Sequence, residues 1–263
     1  MNEALMNDAL RAFSMQGRVV LVVGGTRGIG RAISLQLARA GATVIANYVR
    51  DRASADLLAA EAQSAQLPIE VVRADVTSEK GRELLMSTLA QHSAGLSSLI
   101  FAAATGVHRP FEQFTGRHFD FTFDLNVKTF LGLVQRFAPL MAAGSTVVAV
   151  SSEGAYRAMP QYGLVGASKA ALESLSRHLA NELAGRGIRV NVLSPGTVAT
   201  EAWKVFPDGE ARLAEAAASS PRGRLNTLEE VALAAQFLAS DASAGLVGHT
   251  LVVDGGARVV GSC

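Results

Sequence analysis

Tyr162 and Lys169 stand seven residues apart at the start of a helical pattern that continues through AALESLSRHLANEL. At 3.6 residues per turn, positions i and i+7 share one helix face two turns apart, so the phenol and the ammonium line one cleft. A lysine near a phenol favours the phenolate, which makes the phenol a better proton donor to an oxygen gaining negative charge. Pro160, just ahead, suits a helix's first turn. Ser152 stands ten residues before Tyr162 and reads either as a further hydrogen-bond donor to that oxygen or as a plain strand-end serine. A surface tyrosine and a solvated lysine would be written with the same letters, so the pair takes its meaning from the elements around it.

Those elements begin with Arg18-Val-Val-Leu-Val-Val23, a continuous apolar run expected of a strand buried on both faces of a parallel sheet. The turn Gly24-Gly-Thr-Arg-Gly-Ile-Gly30 follows, and then RAISLQLARA with helical periodicity up to Gly41. A glycine-rich turn between a buried strand and a helix lets the backbone approach a pyrophosphate and aims the helix N-terminus at it. A second strand, Thr43 to Val49, ends in Asn47 and Tyr48, with Arg50 beyond it and Arg27 inside the glycine turn. An acid at this point would hold the adenosine 2′-hydroxyl of NAD, whereas arginine accommodates the 2′-phosphate of NADP. Both arginines also read as solvated surface charges; their placement favours NADPH.

Alternation continues with a helix near 53–65, a strand at 69–74 closing on Asp75-Val76, a helix at 79–92 and a strand at 99–103. The loop 104–116 carries His108 and Arg109 and leaves the carboxyl end of a strand, where open α/β sheets bind ligands. One long helix is expected over 117–141, with Phe119, Phe123, Phe130 and Phe137 as core or subunit interface. A fifth strand, Thr146 to Val150, delivers Ser151 and Ser152 to the same edge. The Tyr162 helix is followed by a strand at 187–193 and the run Ser194-Pro-Gly-Thr-Val198. Residues 199–223, with Trp203 and Phe206, have weak helical pattern and read as a mobile flap at about 197–223. A helix at 228–238 and a strand at 249–253 close the chain on Asp254-Gly-Gly256. Seven strands alternating with six helices predict an α/β fold, a doubly wound parallel seven-stranded sheet in a single domain.

The 263 residues show no composition shift that would divide them, so the expectation is an arm at 1–14 and one domain over 15–263. A net charge of +1 gives no reason to expect nucleic acid. Cys263 is the single cysteine, which excludes disulfides and cysteine-ligated metal within one chain. No signal-peptide pattern opens the chain and no apolar run reaches a membrane span, so the expected compartment is the cytoplasm.

With these residues in view, the chain resembles the short-chain dehydrogenase/reductase family from Met15 to Gly256. The matching residues are the GGTRGIG turn, Asp75-Val76, Asn126, the Ser152 region, Lys169, Asn191-Val-Leu-Ser-Pro-Gly196 and Val253-Asp-Gly-Gly256. The resemblance implies a Rossmann fold, a nicotinamide cofactor and a homotetramer. Along the cofactor it implies Gly24, Thr26, Arg27, Gly28, Ile29, Gly30, Asn47, Arg50, Asp75, Val76, Ala102, Ala103, Lys169, Pro195, Gly196 and Val198. Asn126, if it behaves as in the family, anchors a water near Lys169; otherwise it caps or kinks its helix. Departures are also present: Val165 stands where most of the family's reductases have tyrosine, Phe101 and Ala102 replace two asparagines, and Val23 replaces a threonine.

A seven-residue tyrosine-lysine spacing marks the family's enoyl-thioester reductases, and the chain is most similar to the NADPH-dependent type III enoyl-[acyl-carrier-protein] reductases. The stretches Ala103 to Pro110 and Tyr162 to Glu173 carry that similarity. A geometric reason would connect spacing to chemistry. Reducing a ketone delivers hydride one bond from the oxygen that needs the proton, whereas reducing an enoyl thioester delivers it three bonds away. Moving the tyrosine from one helical turn before the lysine to two shifts it by about 5.4 Å along the axis, which suits the more distant oxygen. In that reading Tyr162 protonates or hydrogen-bonds the enolate oxygen, while Lys169 holds the ribose and lowers the tyrosine's pKa. The alternatives are an NADPH-dependent carbonyl reductase and a non-catalytic NADPH-binding protein. Acyl carrier protein is an expected partner, which Arg109, Arg157 and Lys204 would meet unless they are ordinary surface charges.

Overall fold

The computed structural model describes residues 10–201, 203 and 208–259. Apolar, β-branched runs form seven strands: β1 (Val19–Val23), β2 (Thr43–Tyr48), β3 (Ile69–Arg73), β4 (Ser98–Phe101), β5 (Thr146–Val150), β6 (Arg189–Pro195) and β7 (Thr250–Val253). They pair in parallel in the order β3-β2-β1-β4-β5-β6-β7. β1, β4 and β5 are buried at every position, as a strand covered on both faces must be. The chain order reverses between β1 and β4, and the crevice outside that reversal is where an open parallel sheet takes its ligand.

Helices α1 (Gly28–Arg39), α2 (Arg52–Ser64) and α3 (Glu79–Leu89) make the first three crossovers. Asp51 and Ser78 cap α2 and α3 by accepting from the backbone N–H groups of Ser54 and Gly81. The long helix expected over 117–141 is not regular. It divides into α4 (Gly116–Phe123), a π turn (Asp124–Thr129) and α5 (Phe130–Phe137). Its phenylalanines divide with it: Phe130 and Phe137 are core, while Phe119 is exposed and stacks on Phe123 at 4.1 Å. Then come α6 (Gly163–Ala184), α7 (Gly209–Ser219) and α8 (Leu228–Ala239).

One core cluster packs β1, β4, β5 and β6 against α3, α5 and α6, and a second packs the other sheet face against α1 and α8. The end of the expected arm belongs to this second layer. Met15 is fully buried, Phe13 lies 6.2 Å from Phe237, and the Gln236 amide donates to the Phe13 carbonyl at 2.8 Å. Residues 1–9 of the arm lie outside the described residues, as do Lys204, Phe206 and Cys263. The stretch expected to be a flap is helical over α7, and a bridge between Val198 and Asn226 closes its base. β6 runs two residues further than the sequence reading, through Ser194 and Pro195. Among the described residues no helix is long and apolar enough to cross a membrane.

Candidate active site

The strand register sets the site. Val23 pairs with Asn47 and Phe101, Phe101 with Ala149, and Val150 with Leu193, so β1, β2, β4, β5 and β6 end nearly level. Gly24, Ala102, Ser151, Ser152 and Ser194 to Val198 therefore emerge at one edge, and α6 crosses behind them.

At the β1 end, Gly24 and Gly28 hold φ of +76° and +52°, a region glycine enters at little cost. A Cβ at Gly24 would sit 2.8 Å from the Ala103 nitrogen, and one at Gly30 would collide with the Gly24 carbonyl. The turn is thus closed on the sheet side by Ala102 and Ala103 and packed to the limit. α1 begins at Gly28 with no side-chain cap and no acid in its first turn, leaving its N–H groups and dipole to attract an anion. The Thr200 methyl lies 3.9 Å from where a Cβ on Gly28 would stand, which puts at the rim of the turn a residue that sequence reasoning missed. This cradle fits a dinucleotide pyrophosphate, with Gly24, Gly28, Ile29 and Gly30 as its backbone; Thr26 beside them is buried.

At the adenosine end Arg27 and Arg50 are exposed. Arg27 acts on Asp51, whose carboxyl is held low first by the Ser54 backbone and hydroxyl and then by that guanidinium. The expectation for Asn47 needs correction. Its side chain is buried and donates to the Ala74 carbonyl at 2.8 Å, so its amide nitrogen joins β2 to the segment after β3 and is not offered to a ligand. Asp75 turns back on Thr77, accepting from its N–H at 2.9 Å and its hydroxyl at 2.6 Å, and Val76 is core. Pro195 is buried, Gly196 has the Asp254 Cβ 2.8 Å from where its own would stand, and the Val198 carbonyl accepts from the Trp203 indole at 2.9 Å.

Tyr162 is the residue before α6, not within it. Pro160 therefore does not open the helix. It and Gln161 form the centre of a turn closed by the Tyr162 N–H on the Met159 carbonyl at 3.2 Å, and Gln161 takes φ +62°. The phenol donates to the Ser152 Oγ at 3.3 Å, and the His108 ring lies 5.5 Å from the tyrosine ring, tilted by 32°. Burial pushes the Tyr162 pKa up; the Ser152 hydrogen bond pulls it down and the Glu153 carboxylate pushes it up again. Burial, then the Arg212 charge, lowers the pKa of His108.

Lys169 sits two turns along, fully enclosed, with Nζ donating to the Val150 carbonyl at 2.7 Å. Burial lowers its pKa to about 8, opposed by Glu173. The expectation that Lys169 lowers the tyrosine's pKa is thus corrected: in this structure the ammonium is turned to β5, and the phenol answers to burial, Ser152 and Glu153.

Val165 holds the position one turn before Lys169, buried against Gly106, where a Cβ would strike its Cγ2. Ser168 is the only other hydroxyl nearby on the helix, and it is fully buried, donating to the Val165 carbonyl at 2.7 Å and accepting from Asn126 at 2.9 Å. Asn126 lies in the π turn and also pairs both ways with the Thr105 backbone, at 3.0 and 2.8 Å, which ties the loop after β4 to the kink. Glu153, which the sequence reading did not single out, accepts from Thr197 Oγ1 at 2.9 Å and pairs with Arg157 at 3.4 Å. Arg157 is therefore engaged beside the site, while exposed Arg109 lines a groove of about 420 Å³ with Phe111, Phe114 and Met159.

A family model described as enoyl-(acyl carrier protein) reductase matches residues 23–258. The 1-cyclohexenylcarbonyl-CoA reductase of Streptomyces collinus is 34% identical over 245 residues, covering 92% of this chain and 88% of that protein. The rhamnolipids biosynthesis 3-oxoacyl-[acyl-carrier-protein] reductase of Pseudomonas aeruginosa is 34% identical over 251 residues, covering 93% and 97%. Among solved structures, the Pseudomonas aeruginosa RhlG/NADP active-site complex superposes with a TM-score of 0.86 at 34% identity over 94% of this chain and 99% of that one. A dehydrogenase/reductase from Sinorhizobium meliloti 1021 reaches 0.88 at 28% identity over 96% and 99%. Glycine cradle, sheet order, the lysine on the helix behind β5 and these similarities agree, and the chain belongs to the short-chain dehydrogenase/reductase family of nicotinamide-dependent oxidoreductases.

Proposed function

We propose that this oxidoreductase reduces the α,β double bond of an enoyl thioester with NADPH. The observation that carries the reading is the pair of positions before Lys169: buried Val165 one turn away and Tyr162 two turns away, with Ser168 already committed to Asn126 and Val165. The Tyr162 phenol is thus set for an oxygen remote from the hydride. When bound, the nicotinamide supplies the hydride. Lys169 holds the nicotinamide ribose, the glycine turn and α1 hold the pyrophosphate, and Arg27 with Arg50 meet the 2′-phosphate. Tyr162 keeps its proton at neutral pH because its pKa is raised, and gives a hydrogen bond or that proton to the thioester oxygen as charge gathers there. Ser152, now its acceptor, orients the phenol. Similarity to the cyclohexenylcarbonyl-CoA reductase supports this reading.

A 3-oxoacyl thioester reductase is the second reading, favoured by equal identity to the rhamnolipid enzyme. The experiment is NADPH consumption by purified protein with a crotonyl and an acetoacetyl thioester, on acyl carrier protein and on coenzyme A, for wild type and Tyr162→Phe. Turnover of the enoyl substrates alone, lost by about 100-fold or more in the variant, is expected. Turnover of the keto substrates alone would overturn the proposal. We further propose a homotetramer, to be read by analytical ultracentrifugation.

A further inference from the structure

We propose that Glu173 is a positioning residue for Lys169: pinned by the Ser151 hydroxyl one helical turn beyond the lysine, its carboxylate keeps the enclosed side chain an ammonium.

Two successive residues at the exit of β5 each bind one of these two groups on α6. The Val150 carbonyl accepts from Lys169 Nζ at 2.7 Å, and Ser151 Oγ donates to Glu173 Oε1 at 2.6 Å. Lys169 and Glu173 are four residues apart, so they lie on the same face of the helix, both turned to the end of one strand. An enclosed ammonium held by a carbonyl is poorly stabilised in its charged form. A carboxylate fixed beside it makes up part of the lost hydration, and a fixed one does so without first being ordered.

Other charged groups lie on the elements packed against α6: Glu153 after β5, Arg117, His118 and Asp120 on α4, Asp124 and Lys128 in the π turn, and Arg189 on β6. The carboxylate that bears on the lysine is the one on its own helix. Burial and Glu173 are the two opposing influences, and they leave it near neutrality, at about 8. The balance matters because a neutral amine donates more weakly to a ribose hydroxyl than an ammonium does. This consequence rests on the reading of Lys169 as the ribose ligand; the charge of the lysine does not.

The chain has four lysines, Lys80, Lys128, Lys169 and Lys204, so each can be followed by heteronuclear NMR on protein labelled at the lysine ε-carbon. The Lys169 signal is assigned as the one lost in Lys169→Met. In the cofactor-free protein, Glu173→Gln is expected to lower the Lys169 pKa by about one unit while Lys80 and Lys128 stay put, with Glu173→Asp in between. An unmoved Lys169 overturns the proposal. If Glu173→Gln does not fold, Ser151→Ala is read in its place: it keeps both charges and loses only the pin, and a fall in the Lys169 pKa supports the proposal while an unchanged value overturns it. Dinucleotide affinity measured across the same pH range separates the two layers. A lowered lysine pKa with unaltered affinity leaves Glu173 in its role and removes the ribose contact from Lys169.

Discussion

Tyr162 gives its hydroxyl hydrogen to Ser152 and lies in an environment that opposes its ionisation, burial first and Glu153 in support. A phenol of this kind can donate to an oxygen gaining negative charge without first becoming a phenolate. The chain has three tyrosines, which allows a direct check. In an ultraviolet titration the step lost in Tyr162→Phe is expected above the ordinary tyrosine range, and Glu153→Gln should bring it down. Lys169 carries the opposite shift, and its sign is plain. An amine with a pKa of about 8 when folded and 10.5 otherwise is bound by fewer protons in the native state, so it favours folding progressively as pH rises through that window. Urea unfolding at pH values below and above the window should show a gain of up to roughly 3 kcal/mol that Lys169→Met lacks.

The turn before α6 is an element whose geometry the letters do not announce. Pro160 at its first central position and Gln161 at the second, with φ +62°, reproduce a turn that normally places glycine second. Gln161→Gly is expected to stabilise the protein by up to about 1 kcal/mol, and Gln161→Val to destabilise it by more, both read from thermal unfolding. The glycine turn has no such tolerance. Gly24→Ala puts a Cβ 2.8 Å from the Ala103 nitrogen at φ +76°, and it should lower stability by roughly 2 kcal/mol and weaken dinucleotide binding at least about tenfold. The π turn at Asp124–Thr129 works at the same scale: it turns Asn126 inward, where one amide holds the loop after β4 and Ser168 together.

Across the whole molecule, a level register of five strands gathers residues from Gly24 to Val198 at one edge of the sheet. The reversal of strand order between β1 and β4 opens the crevice there. Cofactor choice is a property of this edge as a whole, since the arginines that would meet a 2′-phosphate come from two separate loops. Arg27→Ala and Arg50→Ala are each expected to weaken NADPH binding about tenfold and leave NADH binding nearly unchanged, as measured by fluorescence titration. Equal effects on both dinucleotides would remove the 2′-phosphate role.

Sequence alone determined the seven strands, because a parallel sheet covered on both faces needs unbroken apolar runs such as VVLVV and TVVAV, and these stand out in any chain. It also determined the glycine cradle and the tyrosine-lysine spacing, since both are local patterns read along one stretch. The tertiary structure decided what depends on neighbours distant in the chain. Asn47, legible as a cofactor contact at the end of β2, is taken by a carbonyl 27 residues away. Lys169 follows a carbonyl of β5 and not the phenol at the head of its helix, because an enclosed ammonium turns to an acceptor within reach. Glu153, Glu173 and Thr200 match no spacing rule, and they become visible only when β5, α6 and the loop after β6 are brought together.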